Sequence, residues 1–238
     1  MPAPIIVQHK SAVGLQVTSG ANTACTFTSN VTPGNMVLVF VGTAHDNSGV
    51  AITINTPTMT GETFSTWTGA PDPGTTGNGQ SGVFATNTAV GGQKIVNVSL
   101  TFSSATPDIH IHVIEISGQS SSPRDAQGHT NSATASVSTS GATTNPNDLV
   151  FGFFYDDANN ASLTVGGGYS LVELSTDATF GDAALSESKT VSSTGTQTAT
   201  CGGNGTDILS QSIVVVGGAA GGTILWSQLR TSGPSWAI

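Results

Sequence analysis

Apolar residues along this chain come in short alternating or continuous runs bounded by Gly, Pro, Asn and Ser, and a repeat near 3.6 residues is almost absent. Such a pattern predicts strands. The clearest are Met36 to Val41, Ala51 to Ile54, Ser81 to Thr86, Lys94 to Phe102, Ile109 to Ile116, Ala133 to Ser138, Leu149 to Tyr155, Tyr169 to Leu174, Ala183 to Lys189 and Ser212 to Val216. Weaker runs predict further strands at Ile5 to Gln8, Leu15 to Thr18, Ala24 to Thr28, Phe64 to Trp67 and Thr196 to Cys201.

The runs also recur in order. Pro33-Gly34-Asn35 precedes Met36-Val37-Leu38-Val39-Phe40, and Pro146-Asn147-Asp148 precedes Leu149-Val150-Phe151-Gly152-Phe153. A small polar loop follows each, then a Gly-rich bend, a Thr/Ser-rich strand and an apolar strand that ends in Gly. This predicts a degenerate internal duplication with halves at roughly 30–118 and 145–217. Two tandem domains would need a linker, and Gln119-Ser120-Ser121-Ser122-Pro123 is the one linker-like stretch. The favoured reading is one antiparallel β-sandwich over 1–217, with both halves supplying strands to both sheets. Residues 218–238 then form a Gly-rich hinge and an apolar C-terminal arm.

Composition agrees with strands and turns: Gly numbers 30, only 8% of residues are charged, and 37% are hydrophobic, too many for a disordered chain. Five Lys and Arg against fourteen Asp and Glu give a formal charge of −9, which argues against a surface that tracks nucleic-acid phosphates. A polybasic membrane patch and a run of ~20 apolar residues are both missing. No basic segment followed by an apolar run marks a secretory signal in the first ten residues, so synthesis in the cytoplasm is expected. Cys25 and Cys201 are far apart and outside any metal-binding or redox spacing, and two separate semi-buried thiols are expected.

Candidate chemistry is sparse. No Gly-x-Ser-x-Gly elbow is present, and the four glutamates, Glu62, Glu115, Glu173 and Glu187, fall on different strands or bends rather than as a catalytic pair. Glu115 is flanked by Ile114 and Ile116 and is expected to be a structural acceptor near a strand end. His110 and His112 share one strand face, the spacing of some metal sites, but Ile114 and Ile116 continue that face, so histidines at the margin of a partly buried sheet are expected. The loops around Asp46-Asn47 and Asp156-Asp157 with Asn159 carry oxygen ligands of the kind Ca²⁺ takes, without a complete binding motif. Runs such as Gly166-Gly167-Gly168 open no helix and predict turns. In the arm, Ile224, Leu225, Trp226, Leu229, Trp236 and Ile238 form an apolar set that must be covered by the domain's own surface or by a partner.

Three segments carry a resemblance: Pro33 to Phe40, Gly61-Glu62-Thr63-Phe64-Ser65-Thr66-Trp67, and Val113-Ile114-Glu115-Ile116-Ser117-Gly118. In this order they resemble jelly-roll-like β-sandwich modules of tailed-phage virion proteins and bacterial surface proteins, with Asn35 in place of the usual Asp and Ile116 in place of the usual Tyr. The resemblance implies a jelly-roll-like sandwich used for display, decoration or attachment, and it implies no catalytic residue. The expected function is therefore a non-catalytic structural protein of a phage particle, located in the virion. It would need no cofactor, and its partners would be capsid or tail proteins and further copies of itself. The alternative is a carbohydrate-binding or adhesive module that uses Trp67 or Tyr169 as a stacking platform for a surface glycan.

Overall fold

Two strands are buried along almost every residue. A strand buried on one face alternates, as Ile95–Thr101 does, whereas Asp108–Ser117 and Asp148–Asp156 are buried along essentially their whole length because both of their faces are covered. The computed structural model describes residues 3–44, 51–68, 79–103, 107–130, 135–157, 162–203 and 208–218. They form an all-β structure of antiparallel sheets, as the sequence pattern predicts. The C-terminal arm, including Ile224, Leu225, Trp226, Leu229, Trp236 and Ile238, lies outside the described residues.

The first half contributes β1 (Ile5–Gly14), β2 (Asn22–Thr26), β3 (Met36–Ala44), β4 (Thr53–Ile54), β5 (Ser65–Thr68), β6 (Gly79–Ala85), β7 (Ile95–Thr101) and β8 (Asp108–Ser117). The second contributes β9 (Gln119–Thr130), β10 (Ser136–Ser138), β11 (Asp148–Asp156), β12 (Leu163–Val165), β13 (Ser170–Thr176), β14 (Ala183–Val191), β15 (Thr198–Gly203) and β16 (Ile208–Gly218). The sheets run β1-β8-β3-β6-β5 and β2-β7-β4 in the first half, and β9-β16-β11-β14-β13 and β10-β15-β12 in the second. Adding eight to each strand number of the first half reproduces the second. Within each half the strands nest, first with eighth, second with seventh and third with sixth.

This order corrects one expectation. Among the described residues no strand of one half pairs with a strand of the other, so each half is its own sandwich instead of lending strands to common sheets. Three cores result. One lies between β1-β8-β3-β6-β5 and β2-β7-β4, with Val37, Val39, Val98 and Ile111. Another lies between the two sheets of the second half, with Val150, Phe154, Leu185 and Val215. The third joins the halves: Leu38, Phe40, Trp67 and Ile114 meet Phe151, Phe153, Tyr155 and Val214 where the two five-stranded sheets pack face to face. The layers therefore stack three, five, five and three strands deep.

The register is duplicated as well as the order. Leu38, Phe40 and Gly42 lie opposite Ile114, His112 and His110 of β8, just as Phe151, Phe153 and Tyr155 lie opposite Val214, Ser212 and Ser210 of β16. The equivalent residues Phe40 and Phe153 stack on each other, 5.2 Å between ring centres and 10° from parallel. β1 touches β13 and, in mirror fashion, β9 touches β5. Equivalent residues that meet, with reciprocal contacts on either side, are the mark of an isologous two-fold interface. Here both partners belong to one chain.

Local chemistry explains the repeated turns. Asn35, just before β3, and Asp148, which opens β11, each follow a left-handed position, filled by Gly34 (φ 89°) in one copy and by Asn147 (φ 65°) in the other. Gly is free there and Asn tolerates it best among the rest. The sequence pattern missed two strands. β12 has only three residues, and β9 is almost wholly polar; the linker-like Gln119 to Pro123 is in fact its first part. Among the described residues β9 is an edge strand paired to β16 alone, so Pro123 removes no needed ladder donor. Leu15 to Thr18 turns away after β1 rather than forming a strand.

Candidate functional site

The residues singled out by sequence divide into structural acceptors and a polar band in the seam between the halves. Glu115 accepts from Thr32 N (2.8 Å), Asn35 Nδ2 (2.5 Å) and Gln8 Nε2 (2.5 Å), which makes it the structural acceptor expected of it. Glu62 accepts from Val90 N and Gly91 N. Glu173 accepts from Ser11 Oγ and pairs with His9 Nδ1 at 2.7 Å, tying β1 to β13 across the halves. Glu187 is fully buried under β12, where it accepts from Gly166 N at 2.7 Å and where burial pushes its carboxyl up to about 7. The space it fills is left by Gly152, whose added Cβ would come within 3.1 Å of Glu187 Oε1. The four glutamates stay apart, as their spacing suggested.

His110 and His112 are not at a sheet margin. Both are completely buried at the centre of the seam. His112 Nδ1 contacts Ser186 Oγ and His112 Nε2 contacts Ser175 Oγ, each at 2.9 Å, and the same Ser175 Oγ lies 2.7 Å from His110 Nδ1. The rings pack edge-on against Phe153 and Tyr155. Burial depresses the His110 imidazole to about 4 against the opposing pull of Asp177, and burial followed by its histidine neighbours depresses His112 to about 3. Both rings are neutral at ordinary pH. Across the pseudo-two-fold, Ser212 stands where His112 does, and it meets Ser81 Oγ at 3.0 Å and His129 Nδ1 at 3.1 Å. A serine held between two histidines has the composition of an acyl-transfer site, but Ser175 Oγ is enclosed with them inside the seam.

At one end of that seam three carboxylates converge. Asp108 opens β8, while Asp177 and Asp182 flank the turn of the β13–β14 hairpin. All three are buried, and one oxygen from each lies within 4.8 Å of the others. Each is held by its surroundings. Gln16 N donates to Asp108 Oδ1 at 2.5 Å from a residue in the left-handed region (φ 46°), and Thr43 Oγ1 donates to the Asp108 carbonyl. Asp177 accepts from Thr179 N (2.6 Å) and Phe180 N (3.1 Å) across its own turn. Tyr155 donates its hydroxyl to Asp182 Oδ2 at 3.1 Å. Burial, then the Asp182 charge, raises the Tyr155 phenol well above its usual range, so it remains a donor. Tyr155 reaches this place because Gly42, its equivalent in the other half, has no side chain: a Cβ there would come within 2.6 Å of the Tyr155 ring.

None of Asp108, Asp177 and Asp182 stood out in the sequence, since each is a lone acid at a strand end and their meeting depends on how the halves pack. Of the acidic loops that did stand out, Asp46, Asn47 and Asn159 lie outside the described residues, and Asp156 is a buried member of β11. The proposed stacking platforms are also closed. Trp67 is 3% exposed within the central core, and Tyr169 is buried, with its hydroxyl on Thr198 O and Lys189 Nζ 4.4 Å over its ring. Beside Trp67 is a groove of about 240 Å³ lined by Ser65, Thr66, Asn87, Ser122, Pro123 and Arg124, and Arg124 donates to Trp67 O at 3.3 Å. That is smaller than pockets that enclose organic ligands. The thiols are free and separate as expected: Cys25 lies in the first-half core, Cys201 in the second-half core, and burial pushes each up to about 12. Comparison with known proteins returns no match to a family model, to a curated protein or to a solved structure.

Proposed function

We propose that this chain is a non-catalytic structural protein of a bacteriophage particle, a capsid decoration, head fibre or tail component that works through protein–protein assembly. The nested strand order supports taking each half as a jelly roll, an architecture that serves in viral capsids and lectins. The observation that carries the reading is where polar chemistry and apolar surface lie. The histidines, the serines beside them and the converging aspartates are enclosed in the seam, where they set how the halves dock. By contrast the neighbouring edge strands β1 and β13 expose Ile5 (62%), Val7 (47%), Leu171 (55%) and Leu174 (41%). Exposed apolar side chains on free sheet edges are surfaces that proteins cover by association. Further copies of the chain and the capsid or tail proteins of the same particle are the proposed partners, and the virion is the proposed location.

The test is co-sedimentation of the purified full chain with particles from a lysate of its source, with its oligomeric state measured in parallel. Migration with a major capsid or tail protein is expected, and Ile5→Lys with Leu171→Lys should weaken it. A chain that stays monomeric and leaves every particle fraction empty refutes the proposal.

A further inference from the structure

We propose that Asp108, Asp177 and Asp182 together bind one hard divalent cation of the Ca²⁺ class, which clamps β8 of the first half to the β13–β14 hairpin of the second. The ligand set is all oxygen, as such ions require, and softer metals would want nitrogen or sulfur. The span also fits. Ca²⁺ holds oxygens at about 2.3–2.6 Å, so two ligands on opposite sides of one ion stand roughly 5 Å apart, and the three oxygens here lie within 4.8 Å of one another. The carboxylates come from two halves that share no strand pairing among the described residues, so an ion among them would add a link to the side-chain packing and hydrogen bonds that already join the halves.

A second observation points to a ligand in the same place. His110 is two residues along β8 from Asp108, on the same face of the strand. Its Nδ1 is turned toward Ser175 Oγ, which it shares with His112, deeper in the seam. The two nitrogens of an imidazole point in nearly opposite directions. Nε2, on the far side of the ring from Nδ1, thus faces away from Ser175 and His112, and Asp177 is the acid whose charge acts on this ring. Nε2 is fully buried and has no hydrogen-bond partner among the described residues. Three carboxylates leave part of a six- to eightfold shell to water, and a water bound to the ion is the partner that Nε2 lacks.

The experiment uses the full chain, stripped with EDTA and titrated with CaCl₂ by calorimetry and thermal unfolding, and with Tb³⁺ by luminescence excited through tyrosine, since the Tyr155 phenol is bonded to Asp182. One ion per chain is expected, together with a Tm rise of about 5–10 °C at a hundredfold excess over Kd. Asp177→Asn and Asp182→Asn should each weaken Ca²⁺ binding at least tenfold and abolish the sensitised Tb³⁺ emission. Absence of binding at millimolar CaCl₂ overturns the proposal, as does Ca²⁺ affinity unchanged in the double variant, which would place the ion elsewhere. Should a variant fail to fold, the metal content of the wild-type chain after dialysis against CaCl₂ decides: one equivalent supports the site and none removes it.

Discussion

Replacing Asp148 by asparagine would give the second half the residue that the first half already uses at the equivalent place. There Asn35 donates through Nδ2 to the Glu115 carboxylate at 2.5 Å. In the second half Asp148, fully buried, faces the carboxylate of Asp125 on β9. Burial first, and then Asp125, raise the Asp148 carboxyl from 3.8 to about 7. Asp125 is partly buried, which acts against its charge, but hydrogen bonds from Thr144 and Asn145 outweigh this and hold it below its usual value. Asp148 therefore works well as a protonated donor and badly as an anion. The folded state binds the extra proton between about pH 4 and 7, so the contribution of Asp148 is complete below that range and is lost as pH rises through about 7. A carboxyl raised from 3.8 to about 7 corresponds to a ceiling of about 4 kcal/mol at pH 8, and local relaxation makes about 2–4 kcal/mol the expected range. Asp148→Asn supplies the donor without the proton. At pH 8 it should gain that amount in urea unfolding followed by circular dichroism, roughly 5–15 °C in Tm. At pH 5 the gain should shrink to about 1.5 kcal/mol, because only the unfolded wild-type carboxyl is then still ionised, and below about pH 4 it should come within about 0.5 kcal/mol. A variant no more stable than wild type at pH 8, or equally stabilised at pH 8 and pH 5, would refute the account.

Other perturbations test the seam. Gly42→Ala drives a methyl into the Tyr155 ring at 2.6 Å and should cost about 1–3 kcal/mol in urea unfolding; a neutral result would mean that the ring is not confined as described. Phe40→Ala and Phe153→Ala remove equivalent rings from one stack, so each should cost about 3–5 kcal/mol, and unequal costs would argue against the pseudo-two-fold packing. His112 is held neutral with its imidazole near 3, so the unfolded chain binds its proton first as pH falls below about 6.5. In the Asp148→Asn background, where the two depressed histidines outweigh the one remaining raised carboxyl, Glu187, stability should fall between pH 6.5 and 4 by a few kcal/mol, and His112→Asn should flatten that slope. An unchanged slope would assign the acid sensitivity to other groups.

Much of the architecture was legible because it rests on local rules. Pro33-Gly34-Asn35 and Pro146-Asn147-Asp148 announced the same turn twice, and the left-handed backbone at Gly34 and Asn147 is why only those residue types serve there. The apolar runs in β3, β11 and β16 marked strands, while the covering of both their faces was left to the packing. β9 was illegible for the opposite reason: as an edge strand it needs one partner and a few small inward residues such as Ala126 and Gly128, and its other side chains are free to be polar.

Strand class, turn chemistry and duplication can be read along the chain, since each depends on neighbours within a few residues or on the alternation of one strand. That each half closes on itself and that the two five-stranded sheets pack together emerges from the folded molecule, because face-to-face packing requires matching apolar faces and leaves no periodic signature of its own. That packing moved His110 and His112 from an expected sheet margin to the centre of the molecule, and it closed Trp67 within the core. It also drew Asp108 together with Asp177 and Asp182. Separated widely along the chain, they become a site only when β8 of one half lies across the β13–β14 hairpin of the other.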